Sequence, residues 1–455
     1  MLQEISFTNF KSWAEARLAC GPITGIFGTN SSGKTSLIQF LLLLKQTKDA
    51  TDRGTSLELN GEWVELGTIQ DAVHNHDLTR LIEAEITVGL PRDLQLHDPG
   101  QGRSGLISTS SELKLEFQIG VEGNVPRARS LAYELGPRRF SLKPKNGDLR
   151  RFDLSTESLA DDASEFRFLR TRGRAWELPG PIRSYSFPDQ ARTYYQNAGF
   201  LSDLETAFEN ALDRIYYLGP LRDYPRRDYL WARSRPTDVG KKGQNAIDAI
   251  LSATEAEEKR NLKKRSPRKP FQEIIAHWLK ELGLIERFEV KEIAPGSNRW
   301  QAWVQTKKMS KAVLLTDVGF GVSQVLPVIT LLQFVPEGST VILEQPEIHL
   351  HPLAQAGLAD VIIQAATHRK VQVILESHSE HLLLRLQRRI AEKRLPADDV
   401  KLYFCDIPRN CSVLTPLELD LFGRIENWPD RFMGDAFSET AEAEIARLNR
   451  QQAAE

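Results

Sequence analysis

The stretch that decides the fold is Ile23-Thr24-Gly25-Ile26-Phe27-Gly28-Thr29-Asn30-Ser31-Ser32-Gly33-Lys34-Thr35-Ser36, followed by an apolar run over residues 37–44. A strand-like segment carrying Ile23, Ile26 and Phe27 delivers the chain to a turn rich in glycine and serine. Residues 35–46 then read as a helix, apolar almost all round and so buried. Residues 28–35 fit G-x4-G-K-[ST] in the strand-before, helix-after context that this pattern needs. Glycines let the backbone fold tightly round a phosphate, so that N–H groups of the loop and the helix N-terminus face the anion. Gly28, Asn30, Ser31, Ser32, Gly33, Lys34, Thr35 and Ser36 are therefore the expected binding residues. Lys34 can reach the β- and γ-phosphates of a nucleotide, and the Thr35 hydroxyl can ligate Mg²⁺. The bland alternative is a chance Gly/Ser turn ahead of a buried helix; having both strand and helix in place favours the phosphate reading.

Late in the chain, Val341-Ile342-Leu343-Glu344-Gln345-Pro346-Glu347 reads as a hydrophobic strand ending in acid. Glu344 there can hold a magnesium shell, and a second carboxylate can orient an attacking water. Many buried strands end in Glu, so the pattern gains its weight from the phosphate loop. His349 and His351 next to Glu347 suggest a metal cluster. Two His at i, i+2 share no helical face, however, and Pro352 breaks the segment, which favours a loop. Asp317-Val318-Gly319-Phe320-Gly321-Val322-Ser323-Gln324 precedes an apolar helix and reads either as a second anion-binding helix N-terminus or as a plain connection. Glu376-Ser377-His378 follows the strand at residues 371–375, placing His378 where open α/β sheets keep their ligands. The two hydrophobic segments at 341–343 and 371–375 flank a helical stretch at 353–367, a parallel βαβ pattern with strands buried on both faces.

Outward from these motifs the signals weaken. Residues 2–10 and 17–27 read as strands, and residues 81–90 alternate like one. Residues 98–110 look like a Gly/Ser-rich loop, and residues 112–154 suggest antiparallel strands. A helix is expected over 203–211 ahead of a strand at 215–218, and an amphipathic helix over 271–284. The expected fold is α/β: a P-loop ATPase head with a mixed or parallel sheet and flanking helices, interrupted by a long insertion that is part β-rich and part helical. The expected division is residues 1–90 (first half of the head), 91–310 (insertion), 311–412 (second half) and 413–455 (tail).

Bulk composition excludes little. The chain has 455 residues, 41% hydrophobic and 26% charged, as in ordinary globular proteins. A formal net charge of −2 gives no global pull toward nucleic acid. Cys20, Cys405 and Cys411 show no metal-ligand spacing and suit a reducing cytoplasm. The apolar runs at 37–44 and 325–335 are far short of the roughly 20 residues a membrane span needs. With no signal peptide in view, the expectation is a cytoplasmic protein with no membrane partner.

Together the motifs resemble the ABC-like ATPase family that includes SMC-type proteins and the OLD nucleases, and above all the prokaryotic AAA ATPases of phage-defence operons. The resemblance rests on Asn9-Phe10-Lys11-Ser12-Trp13, the phosphate loop, and the segments at 317–327, 342–352 and 376–383, in family order. Residues 423–432 resemble a short tail of some of these ATPases, while about 90–310 carries little likeness. The resemblance implies a nucleotide-sandwich homodimer or higher even-numbered oligomer. In it, Lys34 and Thr35 of one subunit bind ATP–Mg²⁺ with Glu344 completing the metal shell. Gly321 and Ser323 of the other subunit cap the γ-phosphate, and His378 is the switch histidine. Gln70 is a candidate for the glutamine that assists at the metal. One departure matters: the relatives' usual Glu-Glu-Pro-Glu is Glu344-Gln345-Pro346-Glu347 here. Gln345, in the catalytic position, cannot take a proton. Either Glu347 orients the water, or hydrolysis is slow and the ATP-bound dimer long-lived.

The leading functional expectation is an ATPase subunit of a prokaryotic antiviral defence or DNA-processing complex, controlling a separate effector such as a nuclease. No acidic cluster of the OLD nuclease type follows the last motif, so the chain is not expected to be a nuclease itself. The alternatives are a nucleotide-sensing scaffold with little turnover and an SMC-like DNA-repair ATPase. Double-stranded DNA is a candidate ligand through the basic run at 259–269 or the Arg-rich stretch at 222–235, although a solvated loop is the favoured reading of the former.

Overall fold

The computed structural model describes residues 1–100, 105–160, 166–173, 177–262, 266–306, 311–429 and 445–447. The chain opens with β1 (Leu2–Phe10), β2 (Trp13–Ala19) and β3 (Ile23–Gly28), followed by α1 (Lys34–Asp49) and the short α2 (Ile69–Ala72). Five long strands come next: β4 (Ile82–His97), β5 (Leu106–Glu122), β6 (Val125–Leu135), β7 (Arg138–Lys145) and β8 (Asp148–Ser158). Then follow α3 (Asp189–Tyr194), α4 (Leu201–Asp213), β9 (Ile215–Leu218), β10 (Tyr229–Leu230), α5 (Ala246–Glu255), β11 (Lys259–Asn261), β12 (Arg268–Pro270) and α6 (Phe271–Glu281). The remainder is β13 (Arg287–Glu292), β14 (Arg299–Gln305), β15 (Val313–Leu314), α7 (Phe320–Phe334), β16 (Thr340–Glu344), α8 (Pro352–Arg369), β17 (Gln372–Glu376), α9 (Glu380–Ala391), β18 (Val400–Asp406) and β19 (Val413–Leu417).

Two large sheets organise these elements. The first is antiparallel, in the order β2-β1-β4-β5-β6-β7-β8. The second runs β19-β18-β3-β17-β16-β9, with all strands parallel except the edge strand β19. Its central strands are short, aliphatic and buried along their whole length, as parallel strands covered on both faces must be. Alternate residues serve two cores. Ile26, Ile342 and Ile374 join the core shared with α1, α4 and the antiparallel sheet. Phe27, Val341, Leu343, Val373 and Leu375 join the core shared with α5 to α9. Helix α1 lies in the first of these, which is why its residues 40–47 are buried all round.

The α/β head expected from the sequence is the fold observed, with corrections to its internal divisions. Residue 90 is no boundary, because β4 runs through it and pairs with β1 on one side and β5 on the other. The middle region is built into the head: β5 to β8 extend the sheet that β1 and β2 begin, and β9 is a strand beside β16. The single strand expected over 17–27 is two strands broken at Gly21-Pro22, where Gly21 N–H turns to the Thr24 hydroxyl and proline has no N–H for a ladder. The loop expected over 98–110 is shorter, since β5 starts at Leu106; residues 101–104 lie outside the described residues. Of the basic run, β11 and β12 form a hairpin pairing Arg260 with Lys269, while Lys263, Lys264 and Arg265 lie outside the described residues. Among the described residues no helix is long and apolar enough to cross a membrane.

Candidate nucleotide site

The loop between β3 and α1 has a conformation that only its glycines permit. Gly28 has φ +146°, and a Cβ there would lie 2.2 Å from the Cys405 carbonyl oxygen. Gly33 has φ +92°, and a Cβ would lie 2.4 Å from Ser412 Oγ and 2.6 Å from Ser12 Oγ. Behind the loop, the Trp13 indole N–H donates to the Gly33 carbonyl at 3.1 Å, and the Ser412 and Ser12 hydroxyls meet at 2.7 Å. The Asn9–Trp13 motif thus braces the phosphate loop from outside. Lys34 Nζ donates to the carbonyls of Gly28, at 3.2 Å, and Thr29, at 2.6 Å. Burial lowers its pKa, opposed by nearby Glu376. The first turn of α1 carries no acidic residue and no side-chain cap, leaving its N–H groups turned to the cleft.

Three carboxylates gather at the carboxyl ends of β16 and β17. Thr35 donates its hydroxyl proton to Glu376 Oε2 at 3.0 Å. Glu344 Oε1 accepts from the Tyr217 hydroxyl at 2.9 Å. Glu347 Oε1 accepts the His378 backbone N–H at 2.8 Å, and its Oε2 is buried without a partner among the described residues. Burial pushes all three carboxyls above the usual range; for Glu344 the added repulsion of Glu376 takes it to about 7, against the pull of the Tyr217 hydroxyl. Burial, then the Lys34 charge, lowers the His378 pKa, opposed by a hydrogen bond with the Gly28 backbone. Gln345 has φ +42°, and its N–H donates to the Glu376 carbonyl at 2.8 Å.

A cleft of about 730 Å³ opens over the loop, lined by residues 30–36 with Lys11, Ser12, Asp71, Val73, Asn75, His76, Gln345, Glu376 and His378. It brings together the expected Asn30, Ser31, Ser32, Gly33, Lys34, Thr35, Ser36, Gln345 and His378. Gly28 ends β3 beneath them. Glu344 and Glu347 are buried and do not line it. Gln70 does not line it either, although Asp71, Val73, Asn75 and His76 just after it do. Gly321 and Ser323 lie elsewhere, at the start of α7. There Ser323 is buried and its hydroxyl donates to the Phe320 carbonyl at 2.8 Å. The exposed residues of that N-terminus are Gly319 and Phe320. His349 and His351 belong to a loop ahead of α8, and no group of three metal-ligating side chains is present among the described residues.

Sequence reasoning missed Glu376 and Arg222. Glu376 ends a buried hydrophobic strand as Glu344 does, in register with it, so the same acid-ended-strand reading would have found it. Arg222 is almost wholly buried and reaches under the turn after β16. Nothing local to residues 218–222 announces that contact.

Phosphate loop, acidic strand ends and His378 thus share one edge of a mostly parallel sheet, at its carboxyl ends, where such sheets bind ligands. Over residues 155–385, just over half of its length, the chain matches the family described as "AAA domain, putative AbiEii toxin, Type IV TA system". The chain belongs to this AAA family. The match takes in β9, α7, β16 and β17; the fold sets the phosphate loop of this AAA ATPase against them. Residues 395–442 match a second family, described only as a protein of unknown function. No curated protein matches the sequence. Among solved structures, the SMC head domain from Thermotoga maritima is 12% identical, covering 92% of this chain and 99% of that one, with a TM-score of 0.39. An SMC head bound to the C-winged helix domain of ScpA is 10% identical over 92% and 98%, with a TM-score of 0.44. An SMC head with an extended coiled coil, bound to the C-terminal domain of ScpA derived from Pyrococcus furiosus, is 11% identical over 92% and 96%, with a TM-score of 0.41.

Proposed function

We propose that this AAA ATPase is a slow, ATP-closed switch: two copies sandwich ATP–Mg²⁺, and the closed dimer controls a separate effector protein such as a nuclease. The observation that carries the reading is a phosphate cradle without a lid. Lys34, Thr35 and His378 line the cleft from one side, while the glycine-flanked N-terminus of α7 lies outside it. That N-terminus has no side-chain cap and no acid in its first turn, so it offers free N–H groups and a positive dipole end to an anion. In the dimer it caps the γ-phosphate held by the other copy's Lys34.

Slow turnover follows from which residue faces the nucleotide. Gln345 lines the cleft, and an amide cannot accept the proton of an attacking water. Glu347 is buried under it and already engaged by the His378 N–H. A role in antiviral defence is supported by the family description, which names a toxin system. Duplex DNA is a further ligand under this reading, held by exposed cations such as Lys259 and Arg268 of the β11–β12 hairpin.

A second reading, a nucleotide-sensing scaffold with no turnover, is favoured by the same Gln345. Turnover and oligomeric mass with ATP and Mg²⁺ separate the two. The proposal expects dimers and slow hydrolysis in wild type, neither in Lys34→Ala, and little change in Glu347→Gln. Dimers with no hydrolysis at all support the scaffold. Arrest of hydrolysis with trapped dimers in Glu347→Gln would make Glu347 the catalytic base and overturn the slow-switch account.

A further inference from the structure

A second cleft, of about 660 Å³, opens at the other end of the parallel sheet. Its walls are the β11–β12 hairpin, residues 336–337 ahead of β16, and residues 367–370, where α8 ends just ahead of β17. β16 and β17 are five residues long and carry the nucleotide site at their carboxyl ends, so the length of a strand, roughly 16 Å, separates the two clefts. Gln364 of α8 donates to the Asn261 carbonyl at 3.4 Å, which docks the hairpin here.

Charge distinguishes this cleft. Lys259, Arg260, Arg268, Arg369 and Lys370 line it, against one carboxylate, Glu337, among the described residues. In a chain of net charge −2 the clustering is local. Arg260 pairs with Glu258, but that carboxylate also pairs with Arg235, and Arg260 Nε is buried without a partner among the described residues. Arg369 is buried, and its Nη1 and Nη2 donate to the carbonyls of Leu332 at 2.6 Å and Val335 at 2.7 Å. Burial, then repulsion from Arg260, lowers the Arg369 pKa to about 10, against the pull of Glu337 and Glu258. An anion entering the cleft relieves that repulsion, and the exposed Lys259, Arg268 and Lys370 add to its hold.

We infer that this cleft grips the phosphate backbone of duplex nucleic acid, with Arg260 and Arg369 inside it and Lys259, Arg268 and Lys370 at its exposed margin. The inference rests on the duplex ligand proposed above and gives it a place. Lysine and arginine are phosphate ligands. Among the described residues the lining offers no Phe, Tyr or Trp on which single-stranded bases would stack, and no Leu or Ile to enter a lipid surface. Contacts confined to phosphates bind without sequence preference. Because the cleft lies at the amino ends of the strands, one copy holds duplex and ATP at once.

The test is fluorescence anisotropy of a short labelled duplex titrated with the full chain over a range of salt concentrations. The proteins are wild type, Lys269→Ala, and a triple variant carrying Lys259→Ala, Arg268→Ala and Lys370→Asn. All four side chains are exposed, and asparagine suits the left-handed backbone of residue 370, so the fold is kept; unchanged ATP affinity confirms it. The triple variant should lose about tenfold or more in affinity, with a log–log salt slope shallower by about three, one for each phosphate contact removed. Lys269 sits on the same hairpin outside the cleft, so Lys269→Ala should keep the wild-type affinity and slope. A triple variant that binds like wild type, or Lys269→Ala as weak as the triple variant, overturns the site and leaves the duplex ligand standing. No duplex binding in wild type sinks that ligand and this site together, while ATP-dependent dimers would still uphold the switch. Tripolyphosphate or polyglutamate bound as tightly as duplex at equal charge also overturns the assignment, in favour of free phosphate or an acidic protein.

Discussion

Arg222 Nη2 donates to the carbonyl oxygen of Gln345 at 3.2 Å, and to that of Glu344 at 3.1 Å, pinning the peptide where the acidic strand turns. Gln345 leaves that strand with φ +42°, a conformation that costs a non-glycine residue roughly 1–2 kcal/mol. The buried guanidinium holds the strained turn in place, and with it the amide side chain that lines the nucleotide cleft. Arg222→Ala leaves two carbonyls without this donor. It should lower unfolding free energy by about 2–3 kcal/mol in urea titration, with turnover falling more than nucleotide affinity. An unchanged denaturation midpoint would contradict this.

Gln345→Glu restores a proton acceptor at the cleft. Steady-state hydrolysis should rise by about a hundredfold, the scale of positioned general-base catalysis, and ATP-bound dimers should shorten in lifetime. If the variant hydrolyses no faster than wild type, the amide is not what slows the enzyme.

Trp13 supports the loop through one hydrogen bond to Gly33. Trp13→Phe removes the donor and keeps most of the ring, so ATP affinity should fall by about fivefold, near 1 kcal/mol. Gly33→Ala forces a Cβ to within 2.4 Å of Ser412 Oγ at φ +92°, and binding should vanish. Isothermal titration of both variants checks the order; an alanine variant that binds like wild type would refute the bracing role.

Away from the cleft, Glu205 on α4 accepts the Phe187 N–H at 2.8 Å and pairs with Arg192. Burial raises its pKa from 4.5 to about 7, with Arg192 opposing. Because the folded value lies above the unfolded one, the group's stabilising contribution is present below pH 4.5 and is lost as pH rises through about 7. Glutamine mimics the neutral form at every pH. The stability of Glu205→Gln relative to wild type should therefore rise between pH 5 and pH 8, by up to roughly 3 kcal/mol. A relative stability that falls over that interval would reverse the sign argued here.

What was legible in the sequence follows locality. The phosphate loop, α1 and the β16–α8–β17 unit are each written in consecutive residues, as glycine spacing or as apolar runs of strand and helix length. Glu376 beside Thr35 depends on β17 entering the sheet between β3 and β16, a pairing of residues 341 positions apart that no local pattern declares. The same holds for Arg222 under Gln345 and for Ser412 behind Gly33. How the middle region joins the head was not legible, because β4 pairs with β1 by register across some 80 residues.

The central claim is that one copy's Lys34 and the other copy's α7 N-terminus complete a single site, and mixing variants tests it most directly. Lys34→Ala removes the cradle. Gly319→Asp puts a negative charge where the γ-phosphate is capped; a Cβ there meets nothing within 4 Å, and Asp is a favourable N-cap, so the fold is kept. Each variant alone should neither dimerise with ATP nor hydrolyse it. Mixed in equal amounts, they form heterodimers with one intact composite site, and ATP-dependent dimers and hydrolysis should return. No recovery on mixing, or full activity of Gly319→Asp alone, would contradict the shared site.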